Sequence, residues 1–495
     1  QKTAYEMLRS LVGSEMCIRD RWEHNRNKFL VAFILAGITL LYYGLRGHGV
    51  EVHGESGSGK AHSADTHAAG AESHPATAAV LPDSAPPDTG VPAGHPAEAE
   101  AGAAHEVHYS RPGWPTIAAV LDHAVLKEYV PFIVLLFSLY VIAGGIVVRG
   151  NIRATPLTNT AIIGIGGVLA SLVGTTGAAM LLVRFLLKTN AERRFKAHTI
   201  IFFIFVVANI GGCLLPIGDP PLFLGYLRGV PFFWTLGLWV YWATALGIVL
   251  FVYFLWDSWA YRRESPEAVR LDQAQIQPMQ VAGLINLIWI LGVVAAVATL
   301  DPTKPFPGTS WHAPNYLREG VQLLMAALSL LTTPKVLREE NRFNYVAIGE
   351  VACLFIGIFI TMQVPIEILR IKGPELGLNQ PWQFFWATGF LSSFLDNAPT
   401  YVVYFETACT LRPPGMPLLT GLATGAIPIP LLIAISCGAV FMGANTYIGN
   451  GPNFMVKAIA EQSGVKMPSF FGYMVYSGLI LLPIFVLLTL VFFRG

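Results

Sequence analysis

Long apolar runs, separated by short polar clusters, fill most of the chain after residue 27. A helix that crosses a membrane needs about 20 predominantly apolar residues. Two apolar stretches, 200–226 and 430–456, carry Asn, Gly and Pro near their centres and predict broken helices. Unbroken spanning helices are predicted over 28–45, 130–148, 232–256, 281–299, 316–333, 346–364 and 469–493. We therefore expect an all-α, polytopic membrane protein.

The two interrupted stretches resemble each other. The first reads "VVANIGGCLLPIGDPPLFLG" at 206–225 and the second "FMGANTYIGNGPNFMV" at 441–456, so that "AN" and "IG[DN]" recur in both. At membrane depth, backbone without helical hydrogen bonds is tolerated only where it is buried in protein or lines a cavity. Paired breaks of this kind indicate the binding site of a secondary transporter.

Basic clusters next to apolar runs mark the cytoplasmic side of a membrane protein. Arg26 and Lys28 lie at the start of the first helix, so we expect a cytoplasmic N-terminus. Basic residues also flank 156–187 at both ends, which places both ends of this apolar segment on one side. Because such a segment cannot cross once, we predict a re-entrant hairpin that turns at "GTTG", 174–177.

The same order of elements recurs near the C-terminus. A span at 346–364 precedes a hairpin over 381–409, turning at "LDNAPT", and then the second broken helix. "TTGAAMLLV" of the first hairpin aligns with "LDNAPTYVV" of the second, and the charge pattern starts the second unit from the opposite side. The predicted organisation is a first transmembrane helix (22–47), an external disordered loop (48–114), inverted transport repeats (129–258 and 346–495) and a connecting region with two spans (259–345).

Composition agrees with this class. Hydrophobic residues make up 54% of the chain, charged residues make up 13%, and the mean hydropathy is +0.53, which is far from the soluble average. A net charge of +1 gives no reason to expect a nucleic-acid partner. The chain is expected instead to contact membrane lipid, and residues 114–129 are expected to lie at the membrane interface before the second span.

Two regions before residue 114 stand apart from this pattern. Residues 1–21 fit no signal peptide, and "AYEMLRSLVGSEMCIRDR" resembles a translated sequencing adapter; an ordinary cytoplasmic tail is the alternative. The Ala-, Pro- and His-rich loop cannot bury enough apolar surface to order itself. Its histidines could gather a metal ion, but their irregular spacing favours solvated filler. They are His53, His62, His67, His74, His95, His105 and His108.

Carboxylates at the breaks are the first candidates for function. A charged side chain at the bilayer centre costs about 2.5–3.5 kcal/mol on insertion scales, so it needs a reason to be there. Asp219 lies in "IGDPP" and Asp396 in "LDNAPT". Each could instead be an N-cap that accepts backbone N–H bonds. The two roles are compatible, because a capping carboxylate that faces a cavity can also exchange Na⁺ for a proton.

Neutral residues around the breaks are expected to complete the site. Asn209 and Asn445 lie where the helices unwind, and freed backbone carbonyls there suit Na⁺. The side chain of each neighbouring Thr or Asn could instead form a hydrogen bond with a nearby backbone N–H or carbonyl group. Glycines at the breaks allow the non-helical conformation. The predicted ion- or substrate-binding residues are Asp396, Asn397, Thr400, Asp219, Asn209, Asn445, Thr446, Thr175, Thr176, Gly218 and Gly449, with Asp396 and Asp219 as Na⁺ ligands.

Three glutamates have apolar neighbours as well. Glu350 is kept as a candidate proton relay. Glu367 and Glu406 lie nearer to predicted span ends, where we expect interfacial roles.

Together, "SSFLDNAPT", "NIGGCLLPIGDPP" and "GANTYIGNGPN" resemble motifs of the ion transporter superfamily, in its sodium/proton antiporter, arsenite-permease and citrate-transporter branches. The resemblance covers roughly 129–258 and 346–493. It implies inverted repeats whose hairpin tips, 174–177 and 395–400, meet the breaks at 208–221 and 444–453 in mid-membrane, often within a homodimer. The Ser-Asn-Thr signature of the dicarboxylate branch is absent from both tips, which counts against di- and tricarboxylate binding.

Two transport functions stay open at this point. Sodium/proton antiport leads, because two aspartates and no Lys or Arg lie within the motifs; cation-coupled transport of citrate or another di- or tricarboxylate is the alternative. The substrate is thus a small inorganic cation or a carboxylate, with Na⁺ as the transported or coupling ion and no other cofactor.

We expect no enzymatic activity, since the predicted spans contain no cluster of metal-ligating residues and no Ser/His pair that could act as nucleophile and base. The short-loop basic bias fits a bacterial inner membrane.

Overall fold

The computed structural model describes residues 25–47, 51–52, 108–109, 112–423 and 425–494. The suspected adapter-derived segment 1–21, and all the loop histidines named above except His108, lie outside these residues. Within the predicted disordered loop 48–114, β1 (Glu51–Val52) and β2 (His108–Tyr109) form a short antiparallel pair. The loop also ends earlier than predicted, because a helix already begins at Trp114.

The first part of the chain builds one hairpin and one broken helix. The predicted interfacial segment and second span form one continuous helix that ends at residue 143. The elements are α1 (Asn25–Leu45), α2 (Trp114–Leu121), a π-helical segment (Asp122–Tyr129), α3 (Val130–Ala143), β3 (Val147–Asn151), α4 (Pro156–Val173), α5 (Thr175–Thr189), α6 (Ala197–Val206), a 3-10 helix (Ile210–Leu214), α7 (Pro220–Leu227), a 3-10 helix (Phe232–Leu238) and α8 (Trp239–Tyr261).

The second part repeats this order after a connecting region of four helices and one strand, α9 to α12 with β4. β4 pairs antiparallel with β3, and β5 with β6. The elements are α9 (Pro266–Ala274), β4 (Gln277–Ala282), α10 (Ile285–Thr299), α11 (Leu317–Thr332), α12 (Lys335–Glu340), α13 (Val346–Thr361), α14 (Gln363–Lys372), a 3-10 helix (Gly373–Leu376), α15 (Pro381–Phe394), α16 (Asn397–Cys409), β5 (Leu418–Leu422), β6 (Gly425–Pro428), α17 (Ile429–Met442), a 3-10 helix (Gly443–Asn445), α18 (Gly451–Gln462) and α19 (Phe470–Phe492).

Local sequence explains where the first hairpin starts and turns. Thr155 caps α4 by accepting a hydrogen bond from the Thr158 N–H, and proline occupies the first helical position. Gly174 ends α4 and begins α5 with φ of +80°, a conformation that favours glycine. The chain therefore reverses within one residue, at the predicted turn.

Equivalent contacts relate the two repeats. The Ser171 hydroxyl donates to the Gly211 carbonyl, and the Ser393 hydroxyl donates to the Met442 carbonyl in the same way. The "IG[DN]" match is structural, since Gly218 and Gly449 each pack against the glycine that lies six residues before it. The "AN" match is not: Asn209 precedes its 3-10 helix, whereas Asn445 ends the other one. Part of the sequence alignment between the breaks was therefore wrong.

The order of elements agrees with the predicted inversion of the repeats. Both predicted hairpins and both broken helices are present. The first broken helix, α8, α10 and α11 lie between the first hairpin and α13. Four crossings by these elements would start α13 on the side where α3 ended, as inverted repeats require. The exact division of the chain into domains stays a prediction.

The helices have the length and polarity of a membrane protein. Among the described residues, six continuous helices are long and apolar enough to cross a membrane. Residues 197–214, which comprise α6, the start of the first break and the 3-10 helix after it, are 89% buried inside the protein. The last helix is only 33% buried and leaves apolar side chains such as Phe471 and Leu479 exposed. The chain is an all-α integral membrane protein whose breaks lie in its interior.

Candidate ion and substrate site

Asp219 occupies the break between a 3-10 helix and α7. Prolines fill the first two positions of α7, where a missing N–H costs nothing. The Asp219 backbone carbonyl accepts from the Leu222 N–H at 3.1 Å, but its side chain makes no cap hydrogen bond. The carboxylate is only 1% exposed and instead faces the two hairpin tips.

Three neutral groups donate to this carboxylate. The Thr175 hydroxyl and the Asn450 amide reach Oδ1 at 3.0 and 3.2 Å. The Asn397 amide reaches Oδ2 at 2.6 Å. One donor thus comes from each hairpin tip and one from the second break. Across the ranges that the structure describes, Asp219 forms no ion pair with Lys or Arg, so its charge has no cationic partner inside the protein.

Four helices begin around the same carboxylate. Thr175 starts α5, Asn397 starts α16, Asp219 itself precedes α7, and Asn450 precedes α18. The N-terminus of a helix carries partial positive charge because its first N–H groups are unpaired. This arrangement favours negative charge at the centre, either that of Asp219 or that of a bound anion.

Asp396 lies at the start of α16 and caps that helix, whereas a central ion ligand would face the other hairpin tip and the breaks. Its carboxylate accepts from the Ala398 N–H at 3.1 Å, which makes it the N-cap of α16, and it is half-buried. The Thr400 hydroxyl donates back to the Asp396 carbonyl at 3.0 Å, within the same helix. Asp396 and Thr400 therefore shape the second hairpin tip, whereas Asp219 lies where the tips and breaks meet.

Two asparagines link the breaks. Asn209 donates to the Ile204 carbonyl at 2.8 Å and to Asn453 Oδ1 at 2.7 Å. Asn453 in turn donates to the Gly443 carbonyl at 2.8 Å and to the Thr446 carbonyl at 2.9 Å. The first break is thus tied directly to the second.

The second break is also tied to the hairpin tip of its own repeat. Asn445 donates to the Ser393 hydroxyl at 2.9 Å, and the Thr446 hydroxyl donates to the Ser393 carbonyl. The Thr446 hydroxyl also accepts from the Ile448 and Gly449 N–H groups, so its hydrogen bonds hold the loop together. The Thr446 hydroxyl therefore stabilises the loop of the second break.

Three buried amide oxygens, two at the breaks and one at the second hairpin tip, accept no hydrogen bond from the described part of the chain. They are the Oδ1 atoms of Asn209, Asn397 and Asn445. A buried polar atom without a partner is uncommon and calls for an explanation. All three are acceptors only, which is the chemistry that hard cations such as Na⁺ prefer. The residues present therefore fit a cation as well as they fit water.

An open cleft reaches the first hairpin tip. Thr175, Thr176 and Gly218 line the cleft together with mostly apolar residues of α3 and α13. Glu350, the candidate proton relay, is half-buried on α13 next to Val351, which lines the cleft. Apolar lining residues include Leu136, Leu139, Tyr140, Val173, Ile217, Ala347 and Ile348.

Sequence reasoning missed several residues that complete this site. Asn450 stands in "IGN" at the position that Asp219 holds in "IGD", so the repeated motif contained the signal. Asn453 lies three residues later, in the first turn of α18. Ser393 lies in the "SSFLDNAPT" motif but was not singled out, and Ser171 had no comparable signal.

Comparison with known families decides the class of this protein. A family model described as "Putative citrate transport" matches residues 100–493. The chain belongs to this family. The match covers both repeats and everything between them. No curated protein matches the sequence.

Close backbone packing at the break gives a testable prediction for this citrate-transport family member. A Cβ atom on Gly449 would meet the Gly443 and Ser392 carbonyl oxygens at 2.6 and 2.7 Å. Backbone atoms cannot move aside cheaply, so we expect Gly449→Ala to cost about 1–3 kcal/mol of stability and to impair transport. Thermal unfolding and a transport assay in liposomes would measure both effects.

Gly451 is the matched control, because a Cβ there meets no atom within 4 Å. Gly451→Ala should unfold and transport like the parent protein. Equal behaviour of the two variants would contradict the close packing described at Gly449.

Proposed function

We propose that this transporter exchanges Na⁺ for H⁺, with the two cations competing for Asp219 as the repeats alternate access to the site. The observation that carries the proposal is the buried Asp219 carboxylate, which receives three neutral donors and no cationic side chain of the described residues. Sequence analysis named both Asp396 and Asp219 as Na⁺ ligands, and the place of Asp396 as the α16 cap makes Asp219 the better candidate.

The energetics of burial support a bound cation. Removing an unpaired carboxylate from water costs several kcal/mol, and a group in that position is stabilised by taking up a proton or a metal ion. The Oδ1 atoms of Asn209, Asn397 and Asn445, which accept no hydrogen bond from the described residues, could act as neutral ligands for Na⁺. Na⁺ and H⁺ would then bind in mutually exclusive fashion, which is what exchange requires.

Cation-coupled transport of citrate or a related carboxylate is the second candidate. Four helix N-termini around Asp219 favour an anion, and the family description names citrate. In this case Asp219 would hold the coupling cation, and the cleft beside Thr176 would receive the carboxylate. A homodimer, a cytoplasmic N-terminus and a bacterial inner-membrane location stay predictions under either candidate.

Proteoliposomes that carry the purified protein separate these functions. We expect an imposed Na⁺ gradient to change the internal pH, as reported by a trapped pH dye, with no such change in protein-free liposomes. Uptake of labelled citrate that depends on a Na⁺ or H⁺ gradient would favour the second candidate. If citrate or Na⁺ moved at the same rate with and without a Na⁺ or H⁺ gradient, both candidate functions would be wrong.

A further inference from the structure

The turn between the first hairpin and the first broken helix packs against the end of α8. The Arg194 and Phe195 N–H groups donate to the two carboxylate oxygens of Glu264, at 3.0 and 2.9 Å. One residue earlier, the Arg193 guanidinium donates to Asp257 of α8 at 2.6 Å. The turn and the end of α8 are therefore held together by direct hydrogen bonds and form one surface.

Three exposed arginines lie on this surface. Arg262 and Arg263 follow the last residue of α8, and the Glu264 contact holds Arg194 beside them. The guanidinium carbon of Arg263 lies 3.7 Å from the ring centroid of Trp259, one helical turn earlier, which is a cation–π contact. We call Arg194, Arg262 and Arg263 the arginine cluster.

The charge of the arginine cluster is not neutralised by ion pairs. Its buried neighbour Arg193 is paired with Asp257 at 2.6 Å and lies 3.7 Å from Glu264. For the guanidinium groups of the cluster, the described residues provide no carboxylate within ion-pair distance. Like charges on one surface repel each other, so an anion bound among them would be stabilising.

An apolar stripe leads along α8 to the arginine cluster. Phe251, Leu255 and Trp259 are four residues apart, so they share one helix face, and their side chains are 61%, 52% and 54% exposed. Because α8 belongs to a helix that is long and apolar enough to cross a membrane, this face is expected to contact acyl chains. Tryptophan is typical of the membrane–water interface, so the cluster directly beyond Trp259 lies at the depth of lipid headgroups.

We propose that the arginine cluster binds the phosphate headgroup of an anionic phospholipid, whose acyl chains lie along the apolar stripe of α8. Guanidinium groups bind phosphate in a bidentate manner, and basic pockets at the ends of membrane helices suit anionic headgroups. Such a lipid would bridge α8 and the turn before the first broken helix, so it should stabilise the fold. The site lies outside both repeated motifs and does not depend on which ion or solute is transported.

Thermal unfolding of the purified, delipidated full-length protein in neutral detergent tests this site. Phosphatidylglycerol added in mixed micelles should raise the apparent Tm in a saturable manner, whereas phosphatidylcholine micelles and inorganic phosphate should not. Losing one arginine near a lipid surface weakens the attraction about fivefold. Arg194→Gln and Arg263→Gln should therefore each raise the half-maximal phosphatidylglycerol concentration about fivefold, and the double variant should raise it about 25-fold.

Arg342→Gln is the charge-matched control, because Arg342 is exposed in the turn before α13, outside the arginine cluster. It should respond to phosphatidylglycerol as the parent protein does. Native mass spectrometry, which counts bound lipids directly, would give the same comparison for a variant with a lower parent Tm.

Two results would overturn the lipid site. One is equal stabilisation of the parent protein by phosphatidylcholine or by inorganic phosphate, since the ligand would then not be an anionic lipid. The other is an equal response of Arg342→Gln and the cluster variants, since the arginine cluster would then have no special role. Neither result depends on transport, so failure of the lipid site and failure of the proposed function are distinguishable.

Discussion

Asp219→Asn is expected to lower coupled transport by at least about 100-fold while leaving the protein folded. A carboxylate contributes about 4 kcal/mol to a cation 4 Å away at an effective dielectric constant of 20, and the amide contributes no net charge. Asn has nearly the same shape and can still accept from Thr175, Asn397 or Asn450, which now donate to the carboxylate. The loss would therefore be one of ion binding.

The measurement is the Na⁺-dependent pH change in proteoliposomes, together with gradient-dependent citrate uptake. Thermal unfolding and size-exclusion chromatography would confirm that the variant is folded. A variant that is folded and inactive separates the ion-binding role of Asp219 from a role in stability.

Asp396 supplies the matched control. Asn caps a helix about as well as Asp, so Asp396→Asn should keep both the α16 cap and most of the transport activity. Asp396→Ala should lose about 1 kcal/mol of stability, because the Ala398 N–H would have no side-chain acceptor. If Asp396→Asn abolished transport and Asp219→Asn did not, Asp396 would instead be the ion-binding carboxylate.

This contrast shows how far sequence alone could go. The breaks and hairpins were predictable, because Gly, Pro and Asn inside apolar runs interrupt helices by local chemistry. The division of labour between Asp219 and Asp396 was not. Whether a carboxylate turns to its own helix or to a neighbouring one depends on how the hairpin tips pack, and both residues stand before a helix in sequence.

Pairing between distant elements was equally hidden. Glu406 was expected at an interface because it lies near a predicted span end, yet it is only 2% exposed. Its partners are Arg228, 178 residues earlier, and Arg370. Glu367 is closer to the expected role, since it is partly exposed and pairs with Arg46 at 2.6 Å. The sequence shows the charges, but only the fold shows which of them meet.

Arg228 joins three parts of the fold through this buried network. It follows α7, the second half of the first broken helix, and is 5% exposed. Its guanidinium donates to Glu128 at 2.5 Å and to Glu406 at 3.1 Å. Glu128 belongs to the π-helical segment and Glu406 to the second hairpin. Gln363 and Arg370 supply the remaining donors to these carboxylates.

Arg228→Met is therefore expected to destabilise the protein by about 3–5 kcal/mol, the usual cost of leaving a buried charge without its partner. Glu128 would keep only the Gln363 amide as a donor. Thermal unfolding in detergent would measure the fall in apparent Tm. Arg149→Met is the comparison, because its pair with Glu340 is solvent-exposed, and it should leave the apparent Tm unchanged.

Adding Glu128→Gln to Arg228→Met tests the cause of that loss. If the unpaired Glu128 charge is responsible, neutralising it should recover a large part of the lost stability, since the pair variant leaves no uncompensated carboxylate at this position. Recovery is expected to be partial, because Glu406 would still depend on Arg370 alone. An apparent Tm for Arg228→Met equal to that of the parent protein would show that the network does not hold the first broken helix to the second hairpin.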